Sequence, residues 1–182
     1  MAQHIVLLRG INIGSRNRVP MPKLRELLSD AGFDGVRTYL QSGNVVLSSS
    51  GKTADVARTV ERLIAKEFGL DIAVVTRTPA QLAKIVELNP LKAVAKDPKR
   101  YQVSFLAATP SRAVVRRVED AAATKERVAV HGREIYAWHP EGAARSRLWA
   151  LLAGQSLGVT ATARNWTTVE KLLALVDARA PS

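Results

Sequence analysis

A chain of 182 residues and 19.8 kDa holds one domain or two small ones, and its 47% hydrophobic and 24% charged residues describe a globular protein, excluding disordered, collagenous and coiled-coil classes. Without cysteine there are no disulfide frameworks, thiolate metal sites, iron–sulfur clusters or cysteine nucleophiles, and the expected compartment is the cytoplasm. The 27 basic against 16 acidic residues leave a net charge of +11, with 12 and 8 up to Pro90 and 15 and 8 after it, so both halves attract anions. Arginine supplies 18 of the 27 cations, scattered along the chain, which makes plain compositional bias the competing account.

The first apolar run, Ile5 to Leu8, is cut by Arg9, too short for a signal-peptide core or a membrane span. His4 to Arg9 reads as a buried first strand, ended by the glycine-containing loop Gly10 to Arg18. Pro20 and Pro22 mark the start of a helix whose apolar stripe is Leu24, Leu27, Leu28 and Ala31, with Gly32 as its stop. Val36 to Leu40 and Asn44 to Ser48 form a hairpin around Gln41, Ser42 and Gly43. Val56, Val60, Leu63, Ile64 and Phe68 trace the next helix, closed by Gly69 and followed by a strand over Ile72 to Thr76. Thr78, Pro79 and Gln81 then combine a cap, a first-turn proline and a capping-box partner for a third helix.

After a polar link from Leu91 to Arg100 the order recurs. Gln102 to Ala107 is a strand, Thr109 and Pro110 start a helix bearing Val114, Val115, Val118 and Ala122, and Arg127 to Val130 with Glu134 to Trp138 make a second hairpin. Leu148, Leu151 and Leu152 mark a short helix, Thr160 to Ala163 an edge strand, and Thr167 with Glu170 a capping box for a last helix. The expected fold is therefore α+β: two ferredoxin-like (βαββαβ plus extra helix) subdomains in tandem, residues 1–90 and 91–182. One continuous mixed sheet is the competing topology.

Leu7-Leu8-Arg9-Gly10-Ile11-Asn12-Ile13-Gly14, Val19-Pro20-Met21 and Thr38-Tyr39-Leu40-Gln41-Ser42-Gly43-Asn44-Val45-Val46 resemble, in that order, the motifs of the bacterial domain of unknown function 1697 family. Arg164-Asn165-Trp166-Thr167-Thr168-Val169 with Lys171 is similar to its C-terminal signature. The resemblance implies a two-part α/β fold with ferredoxin-like halves, and no established reaction. Ser15 departs from it, standing where the family usually has glycine.

Arg9, Asn12, Ser15, Arg16 and Arg18 crowd cationic, amide and hydroxyl donors just before a helix N-terminus, an arrangement suited to a phosphate or carboxylate. The Walker pattern is absent, because Ser15 and Arg16 occupy the positions of its second glycine and lysine. The competing reading is a turn whose Asn side chains satisfy its own backbone. Gln41 to Asn44 read as hairpin chemistry, expected at the opposite end of the sheet from the Arg9 loop. Arg164, Asn165 and Trp166 join the candidate ligand-binding residues, against a reading in which Asn165 or Thr167 caps the last helix and Trp166 packs beside it.

Phe105, Tyr136 and Trp138 offer either an RNA-stacking face or core, with core favoured. His4, His131 and His139 have no metal-ligand spacing, and no G-x-S-x-G elbow is present, so no metal, cofactor or catalytic residue is assigned. The expected function is binding of an anionic small molecule such as a nucleotide. The alternatives are a nucleic-acid-binding module and an enzyme acting on a phosphorylated or carboxylated substrate. No membrane partner is expected, and the sequence does not set the oligomeric state.

Overall fold

The computed structural model describes residues 1–178. They form two compact units, Met1–Ala83 with the described residues from Leu172 onward, and Lys84–Lys171.

The first unit contains β1 (Ala2–Leu8), α1 (Met21–Asp30), β2 (Asp34–Tyr39), β3 (Asn44–Ser49), α2 (Thr53–Phe68) and β4 (Val74–Arg77), leading into α3 (Pro79–Leu88). Its sheet has the order β2-β3-β1-β4 with every pair antiparallel. Period-two alternation puts Val6 and Leu8 of β1, Val45 and Leu47 of β3 and Val74 of β4 into one cluster with Leu24 and Leu28 of α1 and Val56, Val60 and Ile64 of α2. Ile5 and Leu7, on the opposite face of β1, are equally buried, which explains why this strand reads as a continuous apolar run. Pro20 is the N-cap of α1, and Gly69 closes α2 at φ 65°, its N–H donating to the Ala65 carbonyl. The fourth strand starts at Val74, two residues later than its apolar run, because pairing with β1 extends only from Leu8↔Val74 to Ile5↔Arg77.

The second unit repeats the pattern: β5 (Tyr101–Leu106), α4 (Arg112–Ala121), β6 (Arg127–His131), β7 (Glu134–Trp138), α5 (Arg147–Ala153) and β8 (Ala161–Asn165), leading into α6 (Trp166–Asp177). Its sheet order, β6-β7-β5-β8, is the counterpart of the first, again wholly antiparallel. Leu106, Val118, Ile135, Ala137, Leu148 and Leu152 are its core. The fold is thus two α+β subdomains, each with its own four-stranded sheet, and not one continuous sheet.

The capping box of α3 is complete: Thr78 N–H donates to Gln81 Oε1 at 2.9 Å and Gln81 N–H to Thr78 Oγ1 at 3.2 Å. One other cap differs from expectation: Ser111, not Thr109, caps α4, accepting from Val114 N–H at 3.2 Å. Of the two residues that could cap α6, Asn165 does so, its Oδ1 accepting from Thr168 N–H at 2.9 Å, because β8 runs directly into the helix without a loop.

Candidate anion-binding site

The loop after β1 folds back on itself. Asn12 N–H donates to the Asn17 carbonyl at 3.0 Å and Arg16 N–H to the Ile13 carbonyl at 3.1 Å, so residues 12–17 make a miniature hairpin with Gly14 and Ser15 at its tip. Gly14 has φ 57° and Ser15 is not among the positive-φ residues, the pattern of a turn that demands glycine only at its first central position. Serine is therefore accommodated at 15 without strain. Asn12 and Asn17 take positive φ, a conformation that their side chains tolerate better than most.

The side chains divide into two groups. Asn12 is engaged by its own chain: Nδ2 donates to the Val19 carbonyl at 2.9 Å and to the Gln41 carbonyl at 2.7 Å, while Oδ1 accepts from Val19 N–H at 2.9 Å. Asn17 Nδ2 donates to the Gly10 carbonyl at 2.9 Å. Arg9 is half-buried and its N–H donates to the Ala73 carbonyl at 2.9 Å. Ser15, Arg16 and Arg18 are exposed, and among the described residues no hydrogen bond or ion pair holds the guanidinium of Arg16 or Arg18. No Asp or Glu precedes Glu26 in the chain, so the loop carries its positive charge uncompensated in sequence.

The Gln41 turn meets this loop, contrary to expectation. β1 runs antiparallel to β3, so the end of β1 lies beside the start of β3, where the β2–β3 turn also lies: Leu7 pairs with Asn44, and Leu8 N–H donates to the Gly43 carbonyl at 2.9 Å. Asn44, buried in the turn, donates to the Tyr39 carbonyl and to Ser42 Oγ, both at 2.9 Å.

In the second unit Arg164 is buried and donates from Nη1 to Thr162 Oγ1 at 2.7 Å and to the Ala163 carbonyl at 2.8 Å. Burial draws its pKa down to about 10, which still leaves it cationic at neutral pH. Asn165 is the cap described above, and Trp166 is buried, stacked on Tyr101 with centroids 4.8 Å apart. The first unit has a counterpart that sequence reasoning missed: Arg77, fully buried at the same place in β4, donates from Nη1 to the Thr76 carbonyl at 2.8 Å and directly precedes the cap of α3. An arginine directly before the residue that caps the following helix is thus a repeated feature of the architecture.

Residues 1–136 match the family described as Protein of unknown function (DUF1697). The chain belongs to DUF1697. The Arg164–Lys171 signature lies beyond the matched residues, whereas the fold likeness spans nearly everything. This DUF1697 protein is similar to the conserved bacterial protein SP0830 from Streptococcus pneumoniae, with a TM-score of 0.80 and 22% identity over 96% of this chain and 98% of that one. That likeness speaks to fold alone. No curated protein matches the chain.

Two further features of the DUF1697 chain bear on the alternatives. Phe105 and Tyr136 are buried, and Tyr136 Oη donates to the Ile85 carbonyl at 3.1 Å, so these two rings offer no stacking surface to bases. A polar cluster without any sequence signal is buried nearby: Glu126 accepts from Ser146 Oγ at 2.6 Å, from Ala123 N–H at 3.1 Å and from His139 Nδ1. The carboxylate sits between serine and histidine and the His139 side chain is fully buried, so this is not the serine–histidine–carboxylate order of a nucleophilic triad. Burial works to raise the Glu126 pKa, but the Ser146, Ala123 and His139 contacts outweigh it and hold the carboxyl below its usual range. Among the described residues no group of His, Asp and Glu is arranged to hold a metal ion, and no helix is long and apolar enough to cross a membrane.

Proposed function

We propose that this protein binds an anionic small molecule, of the nucleotide type, at the loop carrying Ser15, Arg16 and Arg18. The observation that carries this reading is the pair of exposed guanidiniums on a loop whose backbone is already fixed by Asn12 and Asn17, so that binding has only the two side chains to order. Arginine suits the role because its planar fork engages phosphate or carboxylate oxygens in pairs. Asn12 holds the loop in this reading, with Arg9 at its base, while Arg164, Asn165 and Trp166 belong to the fold of the second unit. A ferredoxin-like description of each subdomain fits the β2-β3-β1-β4 order, and a cytoplasmic location fits the cysteine-free sequence.

The test is calorimetric titration with a panel of nucleotides at physiological salt, comparing the wild type with the Arg16→Ala/Arg18→Ala double variant. Saturable one-to-one binding lost in the variant is expected. Equal binding by both proteins removes the loop from the proposal.

The net charge of +11 favours nucleic acid as a second reading. It predicts binding to mixed single strands whose log affinity falls with log salt at about 0.7 per phosphate neutralised. Weak, salt-independent binding to such strands would count against it.

A further inference from the structure

Two large apolar side chains stand in solvent on two loops that are tied together. Ile13 is 66% exposed beside Gly14 in the miniature hairpin, and Leu40 is 54% exposed at the start of the β2–β3 turn. The two segments are joined by the Asn12 side chain, which donates to the Gln41 carbonyl at 2.7 Å, and Arg16 pairs with Ile13 across the hairpin. Gly35–Ala54, which contains the turn, has no acidic residue, like the chain before Glu26. An apolar pair and a cationic pair thus lie on two joined segments that contain no acidic residue.

Leu40 is also in the wrong conformation for a leucine. Its φ is 58°, and the other described non-glycine residues with positive φ, Asn12, Asn17 and Asn89, are all asparagine, the side chain best suited to that region. Leu40 is not part of the apolar core of its unit. What it adds at this position is apolar surface.

Resting on the proposed anion site, we infer that its ligand carries an apolar body beside the anionic group, and that Ile13 and Leu40 receive that body while Arg16 and Arg18 hold the charge. A bare oxyanion gains nothing from two aliphatic side chains, whereas the ring or chain of an organic phosphate removes their surface from water and its own. Partial burial of two such side chains corresponds to about tenfold in affinity.

The experiment titrates inorganic phosphate and phenyl phosphate, at equal ionic strength and pH, into the wild type, Leu40→Asn, Ile13→Ser and Arg16→Ala/Arg18→Ala, each first shown to be folded by circular dichroism. Phenyl phosphate binding about tenfold tighter than inorganic phosphate is expected, with the ratio collapsing toward one in Leu40→Asn and Ile13→Ser and both ligands lost in the arginine variant. Equal affinity of the wild type for the two ligands, or a preference that survives both apolar substitutions, overturns the inference and leaves the anion site standing. Failure of both ligands to bind the wild type overturns the anion site and the inference with it.

Discussion

The side-chain amide of Asn12 donates to the backbone carbonyl of Gln41 at 2.7 Å, joining two loops 29 residues apart. With its two further bonds to Val19, this one side chain fixes the entry to α1 as well as the gap between the loops. Replacing it by alanine removes three part-exposed hydrogen bonds and leaves alanine at positive φ, a combined loss of about 2–4 kcal/mol. For a chain of this length the unfolding temperature should fall by roughly 4–16 °C. A thermal melt shifted by less than about 1 °C would show that these bonds contribute little net.

Gly43 should tolerate even a methyl group poorly. A Cβ there would lie 2.6 Å from Leu8 Cβ and 3.0 Å from Ile11 Cδ1, and the backbone is at φ +85°. Gly14, at φ +57°, has open space around the same position. Gly14→Ala should therefore cost only the left-handed conformation, about 1–2 kcal/mol, while Gly43→Ala adds overpacking of about 1–3 kcal/mol more. Urea denaturation of the two variants checks the order, and a smaller loss for Gly43→Ala would contradict the packing described.

Acid should destabilise the second unit through Glu126. Its folded pKa lies below the ordinary 4.5, so the carboxylate contributes stability that is complete above pH 4.5 and disappears as pH falls through the depressed folded value. Glu126→Gln should flatten the pH dependence of the denaturation midpoint in that acid window, with the wild type the steeper of the two. Parallel profiles would mean that the Ser146 and His139 contacts do not favour the ionised form.

Alkali acts on the same unit through two phenols. Burial pushes Tyr101 up to about 12, and burial together with the charge of Glu134 raises Tyr136 further. Both folded values exceed the unfolded 10.0, so the stability they contribute is intact below pH 10 and is lost as pH rises from there through the folded values. Tyrosinate absorbance should consequently show late titration that becomes normal in denaturant. Substituting Tyr101→Phe should remove part of the late amplitude.

Local signals were read well wherever the physics is local. The stripe Leu24, Leu27, Leu28, the Gly69 stop and the Thr78–Gln81 box all depend on residues within a turn or two of one another, and each is present where the sequence put it. Local sequence leaves Asn165 and Thr167 both able to cap α6, and only the pairing of β8 with β5, reaching Gln102↔Asn165, fixes where the strand ends and so selects Asn165. Glu126, His139 and Ser146 carried no recognisable spacing, since the strand and helix ends that bring them together are set by the fold.

What the sequence determined by itself was the element order, the apolar faces and the two-fold repetition of the α+β unit, because hydrophobic period and turn chemistry are written residue by residue. Which donors remain open to solvent was decided only by tertiary structure. Arg16 and Arg18 stand free at the surface while Asn12 is engaged by Gln41 and Arg164 is buried, and for Asn12 that engagement follows from antiparallel strand pairing, which joins segments far apart in sequence and carries no mark in either of them.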